Sequence, residues 1–299
     1  ALDSRLKNHL LPWFAEMAGD QVTPAEIVRF GKAIKNSGAK TGELIPTLDK
    51  CLKHLSEILG FGEVLYEDQG WKNSLKAVRK ILNLPNVSRH QPALTDPEEV
   101  GSALRLLRRT GKGTEQTRRM TLLAPLVFTR PGEVRDMRWG DLDLDGRLWA
   151  CRVQKTKKSG VTILDVPLSR QAMEILLEQR AFLARQGIES DFVFPGFRDP
   201  MKSVSENTMN DHLKAVGISA GEHCPHGWRA TARTLLREVL GYEVDVIEIQ
   251  LAHQVKDKHG QAYNRASFLQ QRVAMMQAYA DLLDDLAAGR GAKERWDGR

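Results

Sequence analysis

The sequence predicts a mainly α-helical protein with a small antiparallel β-sheet, arranged as a helical first block followed by an α+β second block. Three observations predict it. Apolar residues recur at helical spacing through most of the 299 residues. Strand-like runs are few, and two of them, 147–153 and 161–166, flank one lysine-rich turn. Residues 83–97 hold three prolines among several turn formers, which is the composition of a linker.

In the first block, Leu2, Leu6, Leu10, Trp13, Phe14 and Met17 lie near helical spacing, with Pro12 expected as a break. Thr23-Pro24-Ala25-Glu26 reads as an N-cap, a proline at the first helical position and a capping glutamate. Its helix runs on through Ile27, Val28, Phe30 and Ile34, and further helices are expected at about 43–59 and 71–82. Lysines and arginines scatter over this block, either as solvated helix faces or as a clamp on phosphates.

The expected boundaries are a helical domain over 1–88, a linker over 89–97, a second domain over 98–286 and a flexible tail over 287–299. Asp96-Pro97-Glu98-Glu99 repeats the cap pattern and starts a helix to about 110. An apolar helix over 115–128 then runs into Thr129-Arg130-Pro131-Gly132-Glu133. Beyond the hairpin, Ser169 should cap a helix to about 186, Phe192–Pro195 should form a short strand, and Ser205 should cap a helix to about 216. The remainder reads as helices at roughly 227–240, 243–252 and 261–286.

Composition narrows the function less than the fold. A net charge of +6 permits a polyanionic partner without demanding one. Cys51, Cys151 and Cys224 are odd in number and far apart, which disfavours a disulfide framework and suits a reducing compartment. No apolar run approaches the roughly 18 residues of a membrane span. The first residue is Ala1 rather than Met, so the chain is expected to be a trimmed or processed piece lacking an N-terminal module.

The chemistry concentrates in 226–263: His226-Gly227-Trp228-Arg229, then Leu251-Ala252-His253, then Ala262-Tyr263-Asn264-Arg265. A phenol is protonated at neutral pH and needs nearby positive charge or a base before it can attack. Attack on a phosphodiester also needs guanidinium groups on the non-bridging oxygens and a cationic acid for the leaving oxygen. His226 and Arg229, three residues apart, should share one helix face. Arg130 offers a second guanidinium, and Lys155, Lys157 and Lys158 at the hairpin tip offer an acid.

Competing chemistries lack their full patterns. His223-Cys224-Pro225-His226 has no second ligand pair elsewhere for a metal, and Cys224 reads as a small buried residue. Asp141, Asp143 and Asp145 lack the downstream glutamate of a calcium loop and read as a solvated strand-edge turn. Gly111-Lys112-Gly113-Thr114 is not a phosphate-binding P-loop.

Arg130-Pro131-Gly132-Glu133, the lysine hairpin, His226-x-x-Arg229, Leu251-Ala252-His253 and Tyr263-Asn264-Arg265 together resemble the tyrosine recombinase (phage integrase) family, in particular integrases of prophages and genomic islands. The resemblance covers about 95–285. It implies a helical core-type DNA-binding domain followed by an α+β catalytic domain. It implies further that Arg130 and Arg229 clamp the scissile phosphate, with Glu133 supporting the arginine. His226 and His253 would bind phosphate oxygens or manage protons, and Tyr263 would attack to give a 3′-phosphotyrosine. Lys155 is the family-like choice of general acid, with Lys157 and Lys158 within reach.

The implied activity is site-specific recombination on double-stranded DNA attachment sites without metal, ATP or other cofactor. The expected setting is a tetramer on DNA in the bacterial cytoplasm at the nucleoid, with accessory bending or directionality proteins. A catalytically silent DNA-binding relative and a type IB topoisomerase are the alternatives. The segment after Tyr263 could pack on its own domain or dock on a neighbouring subunit.

Overall fold

The computed structural model describes residues 2–36, 45–65, 75–82, 91–109, 111, 113–153, 163–253 and 268–290. The chain divides into two compact units, Ala1–Arg89 and His90–Arg299.

In the first unit, α1 (Leu2–Arg5), a π-helical turn (Leu6–Leu10) and α2 (Leu11–Phe14) form one continuous helical run. The expected break at Pro12 does not occur. The preceding turn widens so that Leu11 N–H bonds to Leu6 O, which leaves room for a ring that cannot donate a backbone hydrogen bond. Helix α3 (Pro24–Asn36) starts where its cap signal places it, with Glu26 N–H donating to Thr23 Oγ1 at 3.3 Å. Glu26 itself serves another purpose than capping: its carboxylate accepts from Trp13 Nε1 at 3.0 Å and from Arg29 at 2.8 Å. The core of this unit joins Ile27 and Phe30 of α3 to Leu48, Leu52 and Leu55 of α4 (Ile45–Leu65) and Leu75 and Val78 of α5 (Leu75–Ile81). Trp13 and Phe14 lie against Phe30, with ring centroids 5.7 and 5.1 Å away.

The second unit opens with α6 (Pro97–Arg108), capped by Asp96, whose Oδ1 accepts from Glu98 N–H at 2.9 Å and Glu99 N–H at 3.0 Å. Helices α7 (Glu115–Val127) and α8 (Pro131–Arg135) follow, joined by a short turn. Among the described residues the sheet has three antiparallel strands in the order β1 (Leu142–Asp143), β2 (Leu148–Arg152), β3 (Ile163–Pro167). The β2–β3 register pairs Trp149 with Val166 and Cys151 with Leu164. All four are buried on the core face, as the two-residue alternation of a half-covered sheet requires. Helix α9 (Arg170–Gln186) is capped by Ser169, and Gly187 ends it in a left-handed conformation.

Two expectations change in the next stretch. Residues 192–195 form isolated bridges to Arg138 and Ser203 instead of a strand, because their partners are single loop residues on either side. Helix α10 (Thr208–Ala215) begins three residues beyond Ser205, whose carbonyl and hydroxyl bond to Thr208 and close a turn ahead of the helix. Helix α11 (Trp228–Thr234) runs into a π-helical turn (Leu235–Val239), and α12 (Val244–Gln250) follows.

Helix α13 (Leu269–Ala287) packs on its own domain, burying Met275, Met276, Tyr279, Leu282 and Leu283. The expected helix over 261–286 is present from Leu269 onward. Phe268, just before it, is left-handed (φ 42°), and residues 261–267 lie outside the described residues. Helix α6 can lie close beside α13 because Gly101 has no side chain; a Cβ there would run into the Leu286 carbonyl. Arg272, 2% exposed, donates to Asp165 O of β3 at 2.6 Å and to Gln250 Oε1 of α12 at 2.9 Å, so one side chain fastens three elements together.

Tyr279 supplies a stability test. Its ring meets Phe128 edge-on at 5.4 Å, while its hydroxyl is buried with no hydrogen-bond partner among the described residues. Burying an unmatched hydroxyl is unfavourable, so Tyr279→Phe is expected to raise stability by about 1 kcal/mol. The check is a urea unfolding midpoint, and a clear fall in that midpoint would mean the hydroxyl is bonded in solution.

Candidate active site

The site is assembled at helix ends. Helix α7 stops at Phe128, whose left-handed backbone (φ 35°) turns the chain so that Arg130 becomes the cap residue of α8. Pro131 then takes the first helical position, where its missing N–H is no loss, and Glu133 the third. Glu133 Oε2 accepts the Arg130 backbone N–H at 2.7 Å, and Oε1 accepts from the Arg130 guanidinium at 2.9 Å. A carboxylate 4% exposed thus both caps the helix and holds the guanidinium. The wording Arg-Pro-Gly-Glu has a local mechanical reason.

Arg229, the second residue of α11, is 7% exposed. It donates to Phe128 O at 3.1 Å and Leu251 O at 2.6 Å, and its Nη2 lies 3.2 Å from His253 Nε2. Burial brings its pKa down to about 10, and the charge of Arg130 pushes the same way, against the opposing pull of Glu133 and Glu248. The two guanidiniums are therefore near enough to repel. An arriving monoanion with two free oxygens would relieve that repulsion, which is the chemistry this arrangement suits.

His253 follows α12 through Ala252, which is left-handed (φ 53°), so the chain doubles back and His253 N–H bonds to Glu248 O at 2.9 Å. Its Nδ1 meets Glu248 Oε2 at 2.6 Å, and Glu248 Oε1 accepts from Arg233 Nε at 2.6 Å. Arg130 with Glu133 and Arg229 with His253 thus form two hydrogen-bonded pairs, and the charges of the first pair act on Arg229. His226 lies three residues before Arg229, in a 3-10 turn (Pro225–Gly227) ahead of the helix instead of on its face. It is exposed where Arg229 is buried. Lys155, Lys157, Lys158 and Tyr263 lie outside the described residues; the strands β2 and β3 leading to the lysine turn are described up to Arg152 and from Ile163.

The turn carrying His226 is fastened to the segment that opens this unit. His223 Nδ1 accepts from Leu94 N–H at 3.1 Å, Cys224 N–H donates to Pro92 O at 3.2 Å, and Thr231 Oγ1 donates to Leu94 O at 2.5 Å. Gly227 lets these strands of backbone touch, since a Cβ there would overlap Pro92 O. His223 is therefore a packed structural residue, its ring 4.1 Å from that of Trp228. Cys224 is half-buried instead of buried, with its thiol directed at Gln91 Oε1 at 3.5 Å.

Burial lowers the His223 pKa from 6.5 to about 4. Because the unfolded chain binds the proton more readily, stability is full above pH 6.5 and falls as pH drops toward 4. The expected loss over that window is about 3 kcal/mol. His223→Gln should flatten the dependence of Tm on pH between these limits, and an unchanged acid slope would locate the titrating group elsewhere.

Sequence reasoning missed Glu248 and Arg233. Residues five apart do not share a face of a straight helix, so Glu248 and His253 carry no periodic signal. Cys151, one of the three scattered cysteines, is buried on β2, where Glu133 adds to burial in pushing the thiol pKa up and the Arg130 and Arg229 charges oppose it.

Comparison with known proteins bears on this geometry. The profile described as "Phage integrase family" matches residues 94–270. The chain is 37% identical over 209 residues to the integrase of Enterobacteria phage P4, covering 66% of this chain and 46% of that protein. It is 40% identical over 199 residues to the prophage integrase IntZ of Escherichia coli (strain K12), covering 64% of this chain and 45% of that protein. The chain spans about half the length of these two relatives. A lambda integrase tetramer bound to a Holliday junction shares the fold, with a TM-score of 0.60 at 17% identity over 88% of this chain and 72% of that one.

Proposed function

Since the chain belongs to the phage integrase family, we propose that it is a site-specific recombinase that cleaves and rejoins DNA through a 3′-phosphotyrosine intermediate, integrating or excising a mobile element. The observation that carries the reading is the convergence of two hydrogen-bonded pairs, Arg130–Glu133 and Arg229–His253, from three separate helix ends to within electrostatic reach of one another. In this reading Arg130 and Arg229 hold the two non-bridging oxygens of the scissile phosphate, and Glu133 keeps Arg130 aimed. The Tyr263 hydroxyl loses its proton to His226 or His253 and its oxygen attacks phosphorus. The bond to the 5′ oxygen breaks as Lys155 protonates that oxygen. A 5′ hydroxyl from a partner strand reverses the step, so the bond energy stays in the phosphotyrosine and neither ATP nor metal is called for.

The same reading assigns residues 1–88 as a core-type DNA-binding domain, 89–97 as the linker and 98–286 as the catalytic domain. Its partners are duplex attachment sites and three further copies of the chain, with accessory bending or directionality proteins, in the bacterial cytoplasm. Phosphate contacts would make binding salt-dependent.

The test is to incubate the full chain with fragmented host and element DNA, isolate protein-linked DNA, sequence it and map the linked peptide. The expected result is one sequence-specific site joined at its 3′ phosphate to Tyr263. Binding without any covalent product would indicate a silent relative, and linkage spread over arbitrary sequences would indicate a topoisomerase.

A further inference from the structure

Glu248 has no place in the chemistry set out above, yet it touches that chemistry directly. Its side chain is 18% exposed, and each of its oxygens has a partner: Arg233 Nε at 2.6 Å on Oε1 and His253 Nδ1 at 2.6 Å on Oε2. Burial works to raise its pKa, but the hydrogen bonds from Arg233 and His253 outweigh it and hold the carboxyl below its ordinary range. It is an ionised carboxylate, and such a group only accepts hydrogen bonds. The His253 nitrogen facing it must therefore carry a proton.

The opposite side of the ring is equally constrained. Arg229 Nη2 lies 3.2 Å from His253 Nε2, and a guanidinium only donates. A neutral His253 satisfies both neighbours in a single tautomer, with the proton on Nδ1 and a lone pair on Nε2. We propose that Glu248 is a positioning residue that locks His253 in this tautomer, presenting Nε2 as an acceptor to Arg229 and, in the reaction, to the proton of the attacking hydroxyl. The inference rests on the recombinase reading for its functional meaning and on local geometry alone for the tautomer.

The backbone supports the same arrangement. Ala252 adopts a left-handed conformation (φ 53°), which a residue with a Cβ rarely takes up. That turn is what returns the His253 ring over the last turn of α12 to meet Glu248. Among the described residues, the charged groups of this cluster are Arg229 and Arg233 on α11, Glu248 on α12, and the Arg130–Glu133 pair behind Arg229. The His253 side chain is 46% exposed, so Nε2 can be reached by an incoming group. In the recombinase reading, His253 then begins the reaction as a proton acceptor, not as a donor to the phosphate.

Glu248→Gln inverts the constraint. Arg233 can only donate, so it takes the amide oxygen and leaves the amide NH2 facing His253 Nδ1. His253 should then lose its single tautomer, because the amide favours a lone pair on Nδ1 while Arg229 still favours one on Nε2. The experiment is long-range 15N–1H imidazole NMR on the 15N-labelled full chain near neutral pH, with the signal assigned by its loss in His253→Asn. The expected spectra show Nδ1–H alone in the parent and a mixture of Nδ1–H and Nε2–H in Glu248→Gln. An Nε2–H tautomer in the parent overturns the proposal, as does an unchanged tautomer in Glu248→Gln.

A second readout follows adduct formation on the mapped site, where Glu248→Gln should slow the step about 10- to 100-fold with DNA affinity unchanged. A tautomer shift with an unchanged rate would overturn the functional half. Failure of the parent to form any adduct at Tyr263 would sink the recombinase reading while leaving the tautomer result standing.

Discussion

Arg229→Lys is expected to slow adduct formation on the mapped site by roughly 100- to 1000-fold, with DNA retention changed only a few-fold. The guanidinium does three things at once: it donates to Phe128 O, donates to Leu251 O, and faces His253. A lysine has three donors, but they radiate from one nitrogen on a flexible stem and cannot reproduce a planar fork. At a site this buried, desolvation would also drive the ammonium toward its neutral form. Either loss removes charge from the place where it must develop against the phosphate.

The same variant should unfold more easily, because two carbonyls lose their donors at about 1–3 kcal/mol each. Single-turnover adduct formation and a urea titration separate the two effects. A variant that is destabilised yet reacts at the parental rate would show Arg229 to be a structural residue only.

Gly227→Ala is expected to destabilise the second unit by about 3 kcal/mol, combining overpacking with lost hydrogen bonds. The new methyl would overlap Pro92 O and come within 3.1 Å of the Ala93 Cα and of His223 Cε1. None of these is the far end of a flexible side chain, so the 91–95 segment must lift away from the turn that holds His226. The bonds from Cys224 N–H to Pro92 O and from Thr231 to Leu94 O would go with it. Gly140→Ala is the control, since nothing lies within 4 Å of a Cβ at that position and the change should be near neutral. Equal unfolding midpoints for the two variants would rule out the close approach at Gly227.

These cases also show what a sequence can and cannot reveal. Caps were legible because they act over three or four residues: Asp96, Ser169 and Thr23 each bind backbone N–H groups just downstream. The pairing of Arg130 with Glu133 is also complete within one turn, but it entered through the family resemblance and not through a cap rule. Pro12 misled because a π-helical turn, which leaves no mark on apolar spacing, absorbs the ring. Residues 192–195 carry the apolar run of a strand, but that signal is local and does not supply the partner strand that a ladder needs.

Family wording brought the separate residues of the site together, but the geometry of Arg229 depends on distant backbone. Phe128 lies 101 residues before it, and Leu251 lies 22 after it. Glu248 was illegible because its meeting with His253 depends on a left-handed alanine, which no composition rule anticipates.

One consequence of the Arg229 hydrogen bonds concerns the kind of counter-charge it meets. Phe128 and Leu251 are the residues that close α7 and α12, so their carbonyls lie at the negative ends of two helices. Aligned peptide dipoles place roughly half a negative charge at such an end. The buried cation is therefore hydrogen-bonded by main-chain carbonyls, while the carboxylates of Glu133 and Glu248 act on it without bonding to it. Main-chain dipoles do not titrate and cannot be removed by replacing a side chain. They are also only partial charges, so they steady the guanidinium in the free protein without neutralising it, and its remaining positive charge stays available to an incoming anion across the whole range of physiological pH.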